Sequence, residues 1–453
     1  MIKKLIAAVV LVAIAAGGLS SCGKKLPSKI YTSDGELMTE LGYTGWGYVA
    51  LEDEGQASYV DIAIRETVAI LAEKLEITEE EAEKKLISNG YTVNTVFDAD
   101  VYKSLISGET DMVDNIAVAV TDLNGAVLAT YARCDKYNED RNLANAKFHP
   151  CSAFKPLSVY APSLERGDIS WSTMTLDTPV KKVQSETGGM RDWPSNATGK
   201  YTEKNLSIEQ AIKESVNTVA VKTLMDYGVD NAITYLSEKY GIDTEYESQI
   251  SQAYGEEEVL SNIGLGFLKA GVNVVDMAGY YQVFASKGIY TKPYTVKSII
   301  DANGETVYEA APEGKQIISE DTAYVMNKLL QSVVEKGGTG SAAASNGIAL
   351  CGKTGTGDNE AENWTDNWFV GVTPTYTCAV WHSSYSISNV AAAMFAEVTK
   401  GIAIDGARDF EPCVNVIMVA YCSESGKRLG DKCRSMEVGY FKTSDVPEKC
   451  DEH

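Results

Sequence analysis

An α+β, three-layer fold is predicted for this chain, on two observations. Apolar strand-like runs lie near Ile116 and return from Leu350 onward, while helical patterns dominate between Ser152 and about Asp276. Strands at both ends with helices between them imply an antiparallel sheet whose halves meet late in the chain, with helices packed over it. With 453 residues, 44% hydrophobic and 23% charged, the chain has room for two or three domains and an ordinary globular composition.

Taken in order, Lys3 and Lys4 precede an apolar run from Leu5 to about Ala16, the charged and apolar regions of a secretory signal. The run ends Leu19-Ser20-Ser21-Cys22, which resembles a bacterial lipobox, with Cys22 as the lipidated residue; an uncleaved membrane anchor is the other reading. Residues 23–29 read as a tether. Asp34-Gly35 centres a short strand pair over residues 30–41. Tyr59 to Leu75 is helical in period, and Thr78-Glu79-Glu80-Glu81 reads as a capping box opening a helix through Leu86. Asn124-Gly125 between Ile116–Val120 and Ala126–Tyr131 predicts a hairpin. A polar loop runs from Asp135 to Asn145. Late in the chain, strands are expected at Leu350–Thr354, Trp368–Val372 and Thr377–His382, then a helix from Asn389 to Val398. The resulting division is 1–22 signal and lipobox, 23–110 N-terminal region, 111–410 main domain and 411–453 Cys-rich extension.

No run of Lys and Arg supplies the basic face that nucleic-acid binding requires, and the net charge is −23. Nine cysteines suit an oxidising compartment, and removing Cys22 leaves eight. Cys413, Cys422, Cys433 and Cys450 gather in the extension, with three possible pairings or as free thiols. No pair has Cys-x-x-Cys spacing, so neither a metal nor any other cofactor is expected.

Only three histidines occur, His149, His382 and His453, and no Gly-x-Ser-x-Gly elbow. An activated serine would therefore need a base other than imidazole. Ser152-Ala153-Phe154-Lys155 places a hydroxyl and an amine on one helical face. Burial and a second cation would lower the Lys155 pKa enough for base catalysis. Ser215-Val216-Asn217 supplies a proton relay and an amide for a substrate carbonyl. Lys353-Thr354-Gly355-Thr356 supplies the second cation, a carboxylate contact, room at Gly355 for a ligand to approach the backbone, and an oxyanion donor at Thr356. Each triplet is common alone. Together, in this order and about 60 and 135 residues apart, they form the trio of penicillin-binding proteins and class A β-lactamases.

The flanks extend that resemblance. His149-Pro150-Cys151-Ser152-Ala153-Phe154-Lys155-Pro156, Gly338-Thr339-Gly340, Asp366 through Gly371, Ala379-Val380-Trp381 and the ending from Cys422 to Cys450 are similar to class A penicillin-binding proteins. The similarity covers about residues 85–453. It implies a five-stranded antiparallel sheet covered by helices, with a helical subdomain beside it. It further implies Ser152 as nucleophile, Lys155 as general base, Ser215 and Asn217 assisting, and Lys353 and Thr354 on the substrate carboxylate. The Ser152 and Thr356 N–H groups would form the oxyanion hole. The implied reaction is peptidoglycan cross-linking from a D-Ala-D-Ala donor to an acceptor amine, with β-lactams as covalent inhibitors.

Three departures stand out. The glycosyltransferase domain of class A members is missing. Glu52-Asp53 is a bare fragment of its pattern, and residues 30–41 and 59–88 resemble its flanks, so polymerisation falls to a separate glycosyltransferase. Cys22 replaces the usual transmembrane anchor, placing the protein on the outer face of a bacterial cell membrane through lipid. Cys151 stands where the family usually has glycine, with a Cys151–Cys351 disulfide as one option. The competing activities are DD-carboxypeptidation, a non-enzymatic β-lactam sensor or scaffold, and a β-lactamase using Glu258, which has helical spacing to Asn262.

Overall fold

A computed structural model of the chain describes residues 26–41, 54–108, 113, 115–134, 142–184, 188–253, 256–343, 347–359, 364–384, 389–402 and 408–452. The signal-like run, Cys22 and Glu52-Asp53 lie outside the described residues. Among the described residues no helix is long and apolar enough to cross a membrane.

The larger compact unit comprises Glu54–Ile62, Phe97–Thr295 and Ala311–His453. Its centre is a five-stranded sheet of β1 (Asn115–Asp122), β2 (Val127–Cys134), β3 (Cys351–Asn359), β4 (Trp364–Val372) and β5 (Tyr376–Ser384). The order is β3-β4-β5-β1-β2 and every pair is antiparallel. The halves meet where β5 pairs with β1, as Val380 opposite Val118. The β1–β2 hairpin turns at Asn124-Gly125, where Gly125 takes φ +89, a left-handed backbone that glycine adopts without a steric penalty. The late strands run past their expected ends, because ladder pairing continues into polar residues such as Asp358 opposite Thr365.

Both faces of the sheet are covered, so β5 is buried along nearly its whole length. Alternation sends successive β4 side chains to opposite faces. Phe369 meets Phe395 of α3 (Ala391–Thr399), with ring centroids 5.0 Å apart. Trp368 turns the other way, and its indole N–H donates to the His149 carbonyl at 2.8 Å. Phe148 stacks on Trp381 at 3.6 Å, and Asp366 accepts from the Trp381 indole at 3.1 Å and the His149 backbone N–H at 3.3 Å. The sheet thus clamps residues 148–149, just ahead of Ser152. The helices α1 (Val274–Tyr281) and α2 (Glu320–Val334) also pack against sheet strands.

The smaller unit comprises Met1–Asp53, Ala63–Val96 and Val296–Ala310. Its described part is a second sheet, in the order Thr306–Glu309, Val296–Ile300, Thr92–Thr95, Ser28–Tyr31 and Leu37–Leu41. The Ser28–Tyr31 and Thr92–Thr95 strands are parallel, and the other pairs are antiparallel. The turn at Asp34-Gly35 and the capping box appear as expected: Thr78 Oγ1 accepts from Glu81 N–H and Glu81 Oε2 from Thr78 N–H, both at 3.2 Å. These units do not divide at residue 110. The hairpin of Val296–Ile300 and Thr306–Glu309 groups with the N-terminal residues because Val296–Ile300 hydrogen-bonds to Thr92–Thr95.

The chain ends in a hairpin of Val416–Cys422 and Met436–Lys442. All eight described cysteines are unpaired thiols.

The clamp predicts a stability effect. Asp366→Ala removes an acceptor from the buried Trp381 indole N–H and the part-buried His149 N–H and is expected to cost about 1–3 kcal/mol. Equilibrium urea unfolding with a loss below about 0.5 kcal/mol would rule Asp366 out as the clamp.

Candidate active site

Ser152 and Lys155 lie on an irregular helix. It opens as a 3-10 turn over Cys151–Phe154, widens over Pro156–Tyr160, and becomes a regular α-helix over Ala161–Arg166. Residues three apart eclipse in a 3-10 turn, so Ser152 and Lys155 share one face more closely than in an α-helix. The Lys155 backbone N–H donates to the Ser152 carbonyl. Pro156 has no N–H to continue the ladder, and the next bonds span five residues, from Ala161 N–H to the Pro156 carbonyl. The regular helix expected after Ser152 is therefore postponed by Pro156.

The residue before Ser152 has a special backbone. Cys151 takes φ 51, the left-handed region, which is where glycine would carry no penalty. Its N–H donates to the Gly266 carbonyl at 2.9 Å. A Cβ on Gly266 would lie 2.0 Å from the Cys151 carbonyl oxygen. Gly266 thus seats the turn that carries Ser152.

Ser215 lies in a break. Within the helical stretch expected between Ser152 and about Asp276, the chain here forms two helices, Ile208–Lys213 and Asn217–Tyr227. Ser215 takes φ 58 between them. That turn points both its carbonyl and its hydroxyl at Lys155. Lys155 Nζ donates to the Ser215 carbonyl at 2.9 Å and to Asn217 Oδ1 at 2.6 Å, with Ser215 Oγ at 3.5 Å. The Asn217 amide nitrogen donates to the Ser195 carbonyl at 2.7 Å, so it holds the protein's own backbone rather than standing open to a substrate carbonyl.

Lys353 arrives from β3, at the edge of the sheet. Its Nζ donates to Ser215 Oγ at 2.8 Å and to the Thr354 carbonyl at 3.1 Å. The two lysines meet on one hydroxyl, and that hydroxyl belongs to Ser215. Both are fully buried. Desolvation, and then the charge of Lys353, hold the Lys155 ammonium well below its ordinary pKa. Burial lowers Lys353 to about 7. A neutral Lys155 amine has two N–H donors, matched by the Ser215 carbonyl and Asn217 Oδ1, which leaves its lone pair for another hydroxyl.

Gly355 brings β3 against the nucleophile turn. A Cβ there would lie 2.6 Å from the Pro150 carbonyl oxygen and 3.0 Å from Ala153 N. The room expected at Gly355 is taken by the protein itself. Thr354 is half-buried and Thr356 exposed.

Two residues were not singled out from sequence. Thr339 Oγ1 lies 2.7 Å from Thr354 Oγ1, pairing two hydroxyls beside Lys353. The only signal was the Gly338-Thr339-Gly340 flank. Asn389 Nδ2 donates to Thr356 Oγ1 at 2.8 Å and the Gly355 carbonyl at 3.0 Å, fixing that edge of the site. It was legible only as the start of a helix.

Other expectations separate. Glu258 is exposed and accepts from the Tyr246 hydroxyl at 2.7 Å, whereas Asn262 donates to the buried Glu247 at 3.0 Å. Glu258 and Asn262 do not form a pair. Cys151 and Cys351 are not bonded: the first turns its thiol to the His149 carbonyl, the second lies by Asn327. They stand near opposite ends of β3, since Cys351 opens that strand and the Cys151 thiol lies beside Gly357.

Residues 115–400 match the family model described as "Penicillin binding protein transpeptidase domain". The chain belongs to the penicillin-binding protein transpeptidase family. It is 32% identical over 367 residues to penicillin-binding protein 1F of Bacillus subtilis, covering 78% of this chain and 47% of that one. It is 29% identical over 401 residues to penicillin-binding protein 1A/1B of the same organism, covering 82% and 42%. The chain thus spans about half the length of these curated relatives. Among solved structures, the D,D-transpeptidase domain of a peptidoglycan glycosyltransferase from Eggerthella lenta superposes with TM-score 0.62 at 22% identity, covering 84% and 98% of the two chains. Penicillin-binding protein 1A from Haemophilus influenzae gives 0.67 at 13% identity, covering 94% and 99%. These two share the fold.

Two outcomes are expected. Lys353→Gln removes a cation that lowers the Lys155 pKa, so the rising limb of the pH–acylation profile, read with a β-lactam, moves to higher pH; an unmoved limb would refute the coupling. Gly355→Ala pushes β3 off the nucleophile turn and is expected to slow acylation at least about tenfold, which is about 1.4 kcal/mol of barrier. Wild-type rates in stopped-flow labelling would show that the close approach is dispensable.

Proposed function

We propose that the protein is a serine DD-transpeptidase that cross-links peptidoglycan stem peptides through a Ser152 acyl-enzyme. The observation that carries this reading is the Ser215 hydroxyl, held by Lys353 at 2.8 Å beside a Lys155 whose ammonium is destabilised. Lys155 accepts the Ser152 proton as Oγ attacks the penultimate D-Ala carbonyl. The Ser152 and Thr356 N–H groups stabilise the oxyanion. Lys353, with the Thr339 and Thr354 hydroxyls, holds the terminal carboxylate. Ser215 relays a proton to the departing D-Ala amine. An acceptor amine then displaces Ser152 and restores it.

The edge position of β3 favours a peptide substrate, because an edge strand has free N–H and C=O groups for an extended chain. A β-lactamase is less well supported, since Glu258 bonds Tyr246 on the surface. The protein works outside the cytoplasm, held to the membrane through lipid on Cys22, with a separate glycosyltransferase supplying the glycan strands. Residues 23–110 keep the flanks of a glycosyltransferase region, 111–410 without residues 296–310 the transpeptidase domain, and 411–453 its extension.

The test is fluorescent-penicillin labelling followed by turnover of a D-Ala-D-Ala peptide with and without an acceptor amine. Labelling is expected to vanish in Ser152→Ala, and the wild type to transfer its acyl group to the amine. Release to water alone would make it a carboxypeptidase, and labelling without turnover a sensor.

A further inference from the structure

Three thiols unused by this chemistry meet beside the C-terminal hairpin. The sulfur atoms of Cys422, Cys433 and Cys450 all lie within 4.8 Å of one another. Their separation in the chain hides them from any search for Cys-x-x-Cys. Backbone bonds draw them together: Cys422 N–H donates to the Lys427 carbonyl and Cys450 N–H to the Arg428 carbonyl, each at 2.8 Å. Cys422 and Cys450 are buried and Cys433 is half-buried.

Polar donors are aimed at these sulfurs. Gly430 N–H donates to Cys433 Sγ at 3.2 Å and the Ser425 hydroxyl to Cys450 Sγ at 3.3 Å. The backbone N–H groups of Glu424 and Ser425 face Cys422. N–H and O–H donors of this kind are the outer partners that a metal-bound sulfur accepts from. Zinc–thiolate bonds of about 2.3 Å in a tetrahedron put sulfurs about 3.8 Å apart, within reach of this cluster by small side-chain rotations. A disulfide would use two of the three and leave the third sulfur over.

We propose that Cys422, Cys433 and Cys450 bind one zinc ion as a structural site. Each thiol that coordinates gives up its proton to solvent, and the metal keeps its divalent state. In sequence, His453 follows Cys450 with two residues between them; the claim rests on the three sulfurs. The site braces the hairpin that grips the helix begun at Ser152. Lys442 Nζ donates to the Leu164 carbonyl at 2.6 Å, Ser172 Oγ to the Gly426 carbonyl at 2.5 Å, and Trp171 packs on Tyr440 with centroids 5.4 Å apart.

The test uses the full chain, reduced and stripped by chelator, titrated with cobalt(II) and then zinc(II). Expected are one cobalt per chain with a thiolate-to-cobalt charge-transfer band, its displacement by one equivalent of zinc, and a higher melting temperature with zinc. Cys433→Ser and Cys450→Ser should weaken the band, while Cys413→Ser, in the same extension but outside the cluster, leaves it intact. Absence of the band in the wild-type chain overturns the proposal. So does a disulfide between two of the three, found by non-reducing peptide mapping of protein isolated without metal. Neither readout involves Ser152, so the result is independent of the transpeptidase reading.

Discussion

Two lysine side chains are buried around one serine hydroxyl, and much of the structure follows from holding them there. Removing an ammonium from water is costly, and placing a second beside it adds repulsion. The chain offsets this cost with acceptors: the Ser215 carbonyl and Asn217 Oδ1 for Lys155, Ser215 Oγ and the Thr354 carbonyl for Lys353. What remains of the cost appears as lowered pKa values for both lysines.

Local backbone irregularity gathers around this arrangement. Cys151 and Ser215 both sit in the left-handed region, which costs a non-glycine residue about 1–3 kcal/mol. The helix between them changes from tight to wide turns at Pro156. Each departure aims a polar group that a regular helix would have pointed elsewhere. The surrounding core is conventional by comparison, and rigid sheet packing through Phe148, Trp368 and Trp381 holds the irregular turn.

The edge strand joins the two halves of the site. Gly355 lets β3 approach the Ser152 turn at a distance that any side chain would block. The same strand carries Lys353 inward and, among the described residues, leaves one backbone edge without a sheet neighbour. Steric permission and charge thus come from one short stretch, Lys353 to Thr356.

By itself the sequence determined the antiparallel sheet, the Asn124-Gly125 hairpin, the Thr78 capping box and the three motifs, because these depend on periodicity and on residues a few positions apart. It also carried the family resemblance, since motif order survives without coordinates. Tertiary structure alone decided that both lysines meet on Ser215, that Asn217 turns its amide nitrogen to Ser195, and that Thr339 and Asn389 join the site. It also assigned residues 296–310 to the smaller unit, drew Cys422, Cys433 and Cys450 together, and separated Glu258 from Asn262. These are contacts between residues distant in the chain, set by which faces pack and where a helix breaks. Local pattern has no access to either.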